Sequence, residues 1–251
     1  TIGTSYRNTG YYGNWYLNMT IVDHLYFLLI AVAAPVVGYI SFQRLLRRIR
    51  AGATISPAHL YKFTMMSHWA LFALLLALWA ASGRAWADLG FGFEFNTRFI
   101  VGTALTAGMI VVFMLQLRLI DRANEEDLGN LQFLFPRTRG ELRGFYGLSV
   151  TAGIVEEALW RGFLFWYLGH FMPLWAAAIV SAVGFGFAHA YQGLAAVPRI
   201  MLVGLVFAGL YLLTGSLWLP MILHALVDLL QGRAVYGMLQ RSGSVSTPSP
   251  V

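Results

Sequence analysis

Runs of about twenty apolar residues recur along most of this chain of 251 residues. A helix needs about 20 mostly apolar residues to cross the hydrocarbon core of a bilayer. Only helices and closed barrels satisfy every backbone polar group there. Seven stretches reach that length: roughly 22–43, 61–82, 98–119, 145–168, 172–191, 196–213 and 217–239. The pattern predicts an all-α fold, a polytopic membrane helix bundle with about seven transmembrane helices.

The charge content supports an integral membrane protein. Charged residues make up 11% of the chain, whereas soluble domains carry about 25%. The chain has no cysteine, which excludes disulfides, thiolate chemistry and cysteine-based metal sites. The net charge of +6 does not indicate a nucleic-acid partner, because the basic residues cluster between the apolar spans.

The basic residues also predict an orientation, since cytoplasmic loops carry an excess of lysine and arginine. The first and third loops hold most of them: Arg44, Arg47, Arg48, Arg50 and Lys62, then Arg118, Arg122, Arg137, Arg139 and Arg143. We therefore expect the N-terminus outside, the C-terminus in the cytoplasm, and residence in the bacterial inner (plasma) membrane.

The chain divides into four predicted parts. Residues 1–119 form three N-terminal transmembrane helices, and 120–143 form a cytoplasmic loop with an amphipathic segment. In that segment Thr138 and Glu141 have the spacing of a capping box, which predicts a helix start. Residues 144–240 form a four-helix core that holds the ionisable side chains and is the candidate catalytic core. Residues 241–251 are rich in serine and proline, which predicts a flexible tail.

The stretch "GIVEEALWRG", residues 153–162, places three ionisable groups inside an apolar span. Each charge at a helix centre costs about 2.5–3.5 kcal/mol on insertion scales. Glu157 and Arg161 are four residues apart, share a helix face and can form an ion pair. Glu156 is rotated by about 100° from Glu157 and needs a different environment. A carboxyl group in a dry pocket suits proton transfer, so Glu156 is a candidate general base.

Two later spans carry histidines. In "GFGFAHAYQG" Phe185 lies one turn before His189, and in "LPMILHALVDLL" His224 and Asp228 are four residues apart. A carboxylate one turn from a histidine can accept its ring N–H and select its tautomer. The other histidines, His24, His59, His68 and His170, lie near predicted span ends and are assigned no chemistry.

Together these stretches resemble the CAAX protease and bacteriocin-processing (Abi-type) family of intramembrane glutamic endopeptidases. The family pattern is Glu-Glu-x-x-x-Arg, then Phe-x-x-x-His, then His-x-x-x-Asn or Asp. All three motifs occur here in order on separate predicted helices, within roughly 136–231. The first three predicted spans resemble the family only in being apolar and hold none of the three motifs.

The resemblance implies an enzyme, a membrane-embedded hydrolase that cleaves a peptide bond in a membrane-associated protein or peptide. Glu156 is expected to activate a water with help from His189, while His224 and residue 228 stabilise the oxyanion. Glu157 and Arg161 are expected to support the helix geometry. Members that cleave CAAX tails have Asn at the last position. Asp228 can donate a hydrogen bond only when protonated, so it is alternatively expected to orient His224.

Two questions stay open at this point. No cofactor is required by this reading, but Glu156, His189 and His224 also match a zinc site in ligand type. A non-catalytic membrane subunit, or an immunity or accessory factor that binds a partner membrane complex, is the alternative function. A transporter is disfavoured because no inverted repeat is visible.

Overall fold

The computed structural model describes residues 19–120 and 125–245. In this part of the chain the secondary structure is helical and no strand occurs. Within residues 19–120 and 125–245, seven long helices coincide with the seven predicted spans. They are α1 Ile21–Arg50, α2 Pro57–Ala81, α3 Thr97–Ile120, α4 139–169, α5 Leu174–Ala188, α6 Val197–Thr214 and α7 Trp218–Val245. The N-terminal residues, which are predicted to lie on the outer side of the membrane, are not among the described residues. The same holds for residues 246–251 of the predicted tail.

Among the described residues, four segments are both long and apolar enough to cross a membrane: Ile21–Arg50, Pro57–Ala81, Thr97–Arg118 and Leu194–Thr214. Helix α5 is apolar but shorter. The all-α membrane bundle predicted from the sequence is therefore confirmed. The number of seven crossings stays a prediction, because α4, α5 and α7 do not meet the same criterion.

The start of α4 has the predicted capping box. The Thr138 hydroxyl accepts a hydrogen bond from the backbone N–H of Glu141 at 3.2 Å, and the Glu141 carboxylate accepts one from the N–H of Thr138 at 3.0 Å. Residues 139–143, assigned above to the loop, continue without a break into the rest of α4. At the other end of the core, α7 extends into the predicted tail as far as Val245.

Two of the long helices contain a wider, π-helical turn. In α1 this turn covers Leu29–Ala33 and ends two residues before Pro35. The proline ring would clash with the carbonyl oxygen four residues earlier in an ordinary α-helical turn. In α4 the π turn covers Ala158–Phe163, immediately after the two glutamates. Such turns occur frequently at functional sites.

Helix α4 lies at the centre of the bundle. It packs between α2 and α7, and every residue from 157 to 168 is buried. The N-terminal helices contribute to this core, since Tyr26 of α1 contacts Phe163 and Trp79 of α2 contacts Trp166, both edge to face. A helix that is buried on all sides belongs to the interior of the fold. Side chains of α4 are therefore placed against several other helices at once.

Close contact between α4 and α7 depends on Gly153. A Cβ atom at this position would lie 2.8 Å from the Met221 carbonyl oxygen and from the backbone nitrogen of Ala225. Backbone atoms cannot yield as a flexible side chain can. Any side chain at residue 153 must push α4 and α7 apart.

We expect Gly153→Ala to lower the free energy of unfolding by about 1–3 kcal/mol, the usual cost of overpacking. The matched control is Gly108→Ala in α3, where an added Cβ has no neighbour within 4 Å. That control should be neutral or stabilising by up to about 1 kcal/mol, because alanine is the better helix former. Denaturant unfolding in detergent measures both. Equal effects of the two substitutions would contradict the prediction.

Candidate active site

The two adjacent glutamates at the end of the α-helical part of α4 face different neighbours. Glu157 interacts with Arg161 and with α7, whereas Glu156 interacts with α2 and with the end of α5. This division follows from the helical rotation of about 100° between consecutive residues. Each carboxylate consequently has its own set of partners.

Glu157 is the centre of a fully buried cluster. Its Oε1 accepts hydrogen bonds from Arg161 Nη1 at 2.9 Å and interacts with His224 Nδ1 at 2.8 Å. Both Glu157 and Arg161 have no exposed side-chain surface. The predicted ion pair between residues 157 and 161 is thus present in the structure. Because buried charges are tolerated only when paired, the pair makes the site compatible with an apolar interior.

Arg161 connects this cluster to the neighbouring helices. Its Nη2 donates to the carbonyl oxygen of Gly204 in α6 at 3.1 Å. Its guanidinium lies 4.4 Å from the centre of the Phe185 ring in α5, within the range of a cation–π interaction. Arg161 therefore holds α4, α5 and α6 together at the level of the glutamates.

Glu156 lies between two imidazole rings that come from different helices. Its Oε1 is 3.1 Å from Nε2 of His68 in α2, and its Oε2 is 3.8 Å from Nε2 of His189 at the end of α5. Oε2 is buried and has no hydrogen-bond partner among the described residues. The Glu156 side chain is 15% exposed. One carboxylate oxygen is thus held by a histidine, and the other is available to a further group.

The two histidines present the same ring nitrogen to Glu156 for the same reason. Nδ1 of His68 lies 2.9 Å from the Thr64 carbonyl oxygen, and Nδ1 of His189 lies 2.8 Å from the Phe185 carbonyl oxygen. A carbonyl oxygen can only accept, so Nδ1 must carry a proton and donate in both residues. This contact sets the tautomer and leaves Nε2 directed at the carboxylate.

His224 and Asp228 complete the group of predicted residues. His224 stacks on Phe207, with ring centres 5.2 Å apart, and is fixed through Nδ1 by Glu157. Asp228 Oδ2 lies 3.7 Å from His224 Nε2, and the Asp228 side chain is 35% exposed. That distance is longer than a hydrogen bond. In this structure Glu157 orients the His224 ring, a contact that was expected of Asp228.

The structure brings the seven residues singled out from the sequence into one region. Glu156, Glu157, Arg161, Phe185, His189, His224 and Asp228 are connected by the contacts above. Phe185 contacts both the Arg161 guanidinium and, at 4.6 Å between ring centres, His189. Their roles in catalysis stay predictions, because geometry shows proximity and not activity.

Sequence reasoning missed His68. It was placed near a span end, but it lies at the twelfth position of the 25-residue helix Pro57–Ala81. The signal was available, because an ionisable residue inside a transmembrane helix is a candidate functional residue by default. Two of the other unassigned histidines bond elsewhere: His24 to the Tyr167 hydroxyl and His170 to the Trp166 carbonyl.

The zinc alternative stays a prediction. Within residues 19–120 and 125–245, no three His, Asp or Glu side chains are grouped so that they could hold a metal ion. His224 directs its Nδ1 to the Glu157 carboxylate at 2.8 Å. A metal requirement therefore stays an open question for direct metal analysis.

Fold and site together define a class: a polytopic helical membrane protein in which imidazoles and a carboxylate from three helices meet the two glutamates of the central helix α4. Residues 139–230 match the family model described as type II CAAX prenyl endopeptidase Rce1-like. The matched segment holds all three motifs, so the family resemblance inferred from them is confirmed, and the family is one of proteases. Comparisons with curated proteins and with solved structures gave no significant match.

Proposed function

We propose that this protein is an intramembrane endopeptidase in which Glu156 activates the attacking water. The observation that carries the proposal is the environment of Glu156. Its Oε1 contacts His68, while its buried Oε2 has no hydrogen-bond partner in the described part of the chain and lies 3.8 Å from His189 Nε2. A carboxylate oxygen in that position can accept a proton from a water molecule.

The proposed reaction needs no covalent enzyme intermediate. The water oxygen bonds to the carbonyl carbon of the scissile amide as its proton moves to Glu156 Oε2. The tetrahedral oxyanion then collapses, the C–N bond breaks, and Glu156 returns the proton to the leaving amine. His189, with its Nε2 3.8 Å from Oε2, orients the water between the two groups.

His224 is proposed to stabilise the oxyanion. Its Nδ1 contacts the buried Glu157 carboxylate at 2.8 Å. A carboxylate in that place stabilises an imidazolium, which can donate from Nε2 to the oxyanion. Asp228 lies next to Nε2 of His224. When Asp228 is protonated, it is a second hydrogen-bond donor to the oxyanion. When it is ionised, it accepts the Nε2–H hydrogen bond and orients the ring.

The substrate is proposed to be a protein or peptide segment at the membrane, reached from the cytoplasmic side of a bacterial inner membrane. Its support is the cluster of four arginines at the end of α1, which indicates a cytoplasmic face: Arg44, Arg47, Arg48 and Arg50. The description of the matched family makes a prenylated CAAX peptide the first probe. The alternative of a non-catalytic subunit is not favoured by a match to a protease family.

The decisive experiment compares membranes that carry the wild-type protein, Glu156→Gln or a control Glu94→Gln. Glu94 is exposed and lies in the connection between α2 and α3. Mass spectrometry of new peptide termini should find products with the wild type and the control, and none with Glu156→Gln. Identical termini in all three, with a stoichiometric partner co-purifying, would instead support the accessory subunit.

A further inference from the structure

His68 stands apart from the residues that the family resemblance assigns. It belongs to α2, and the matched segment begins only at residue 139. Nevertheless it makes the shortest contact to Glu156 among the side-chain pairs described for that residue, 3.1 Å from Nε2 to Oε1. A residue outside the motifs thus contacts the candidate base directly.

The contact between α2 and α4 is built by a matching pair of helix faces. On α4, residues 144, 147 and 151 share one face, and on α2, residues 61, 65 and 69 share another. A Cβ on Gly144 would meet Tyr61 at 3.2 Å, and one on Gly147 would meet Met65 at 3.4 Å. The two glycines allow a close approach of the helices.

Polar contacts at the two ends of this interface set the register of α2. The Trp69 ring Nε1 donates to Thr151 Oγ1 at 3.1 Å, and the Tyr61 hydroxyl donates to the Leu134 carbonyl at 2.7 Å. His68 is the neighbour of Trp69 in sequence. Its position next to Glu156 therefore follows from specific packing and is not an isolated surface contact.

The hydrogen bonds around His68 determine how many protons the pair holds. Nδ1 must donate to the Thr64 carbonyl, so in a neutral ring Nε2 bears only a lone pair. A lone pair at 3.1 Å from an ionised carboxylate oxygen would be repulsive. One additional proton must lie between Nε2 and Oε1. The pair of His68 and Glu156 then has no net charge, which suits an interior where an unpaired charge is costly.

We propose that His68 is a positioning residue for Glu156, holding that shared proton on Nε2 so that Oε2 stays ionised and directed toward His189. This inference rests on the proposed function. In this proposal α2, which lies outside the segment that holds the three motifs, supplies a residue that positions the catalytic base. Mere structural support would not require a hydrogen-bond donor at this point.

The test uses full-length protein in liposomes and a fluorogenic peptide that ends in a prenylated CAAX sequence. His68→Phe keeps a ring of similar size but removes both ring nitrogens, and we expect kcat to fall about 30-fold, as for loss of a hydrogen bond to a charged group. KM should stay unchanged. His68→Gln restores a donor near Nε2 and should be about tenfold more active than His68→Phe.

The matched control is His59→Phe. His59 is an exposed histidine of the same helix, nine residues away, or about 14 Å along the axis. It should retain wild-type kcat. Wild-type kcat in His68→Phe, or equal losses in folded His68→Phe and His68→Gln, would overturn the inference. If His68→Phe does not fold, His68→Gln decides, since the proposal requires it to stay within about tenfold of the wild type.

A second readout is independent of any substrate. In protein with ¹⁵N-labelled histidine rings, the His68 signals are assigned by their loss in His68→Gln. Glu156→Gln should shift the Nε2 resonance of His68 and leave His59 unchanged; an unmoved Nε2 resonance would overturn the pairing. Failure of the proposed function would give a different result. The wild type would then cleave no more peptide than Glu156→Gln, whereas the shift of the His68 Nε2 resonance would still show that His68 and Glu156 interact.

Discussion

Replacing Arg161 with methionine is expected to lower the free energy of unfolding by about 3–5 kcal/mol, the usual effect of breaking a buried ion pair. Methionine is similar in length but leaves the Glu157 carboxylate in a fully buried position. It also removes the hydrogen bond to the Gly204 carbonyl and the contact with the Phe185 ring. Denaturant unfolding in detergent measures the loss.

The double variant Glu157→Gln/Arg161→Met separates the cost of an orphaned charge from the loss of packing. Removing both charges should recover part of the stability lost in Arg161→Met, so the two substitutions should be non-additive in a double-mutant cycle. Arg199→Met is the control, because Arg199 is exposed near the start of α6. A loss in Arg161→Met no larger than in Arg199→Met would show that the pair is not a structural requirement.

The second large effect concerns the length of the side chain at residue 156. Glu156→Gln removes the base and should lower kcat by about 10²–10⁴-fold, the contribution of general acid–base catalysis. Glu156→Asp keeps the carboxylate but withdraws it by one methylene from His68 and His189. A displacement of about 1 Å can cost about 100-fold in rate, so the aspartate variant should also be strongly impaired.

Kinetics with the prenylated CAAX peptide test both variants, with Glu94→Asp as the matched control. KM should change little, because residue 156 is proposed to act on the water and not on substrate binding. Near-wild-type kcat in Glu156→Asp would mean that the two histidines do not hold the carboxylate in a required position. Wild-type kcat in Glu156→Gln would remove Glu156 from the mechanism.

Both predictions follow from the different roles proposed for the two adjacent carboxylates, one in stability and one in catalysis. Glu157 is fully buried, paired with Arg161 and bonded to His224, so its loss is expected to affect stability as well as activity. Among the described residues each carboxylate has one oxygen without a hydrogen-bond partner, but only the Glu156 side chain is partly exposed, at 15%. Substitution there should therefore affect turnover more than folding.

The sequence by itself determined the features that depend on local spacing. Apolar stretches of about 20 residues predicted the helices, and the interval of four residues predicted the pair of Glu157 and Arg161. The interval of three predicted the capping box of Thr138 and Glu141. Such features depend only on the geometry of a single helix, which is the same wherever the helix occurs in a protein. The order of the three motifs likewise predicted the resemblance to the protease family whose model matches residues 139–230.

Only the tertiary structure decided which helices meet at the site and through which atoms. His68 and Glu156 are 88 residues apart, and Glu157 and His224 are 67 apart. Their contacts depend on the register in which α2 and α7 pack against α4. The hydrogen bond from Trp69 to Thr151 helps to set the register of α2, and Gly153 allows the close approach of α7. Helical periodicity says which residues share a face, but the packing of one face against another determines that His68 reaches Glu156.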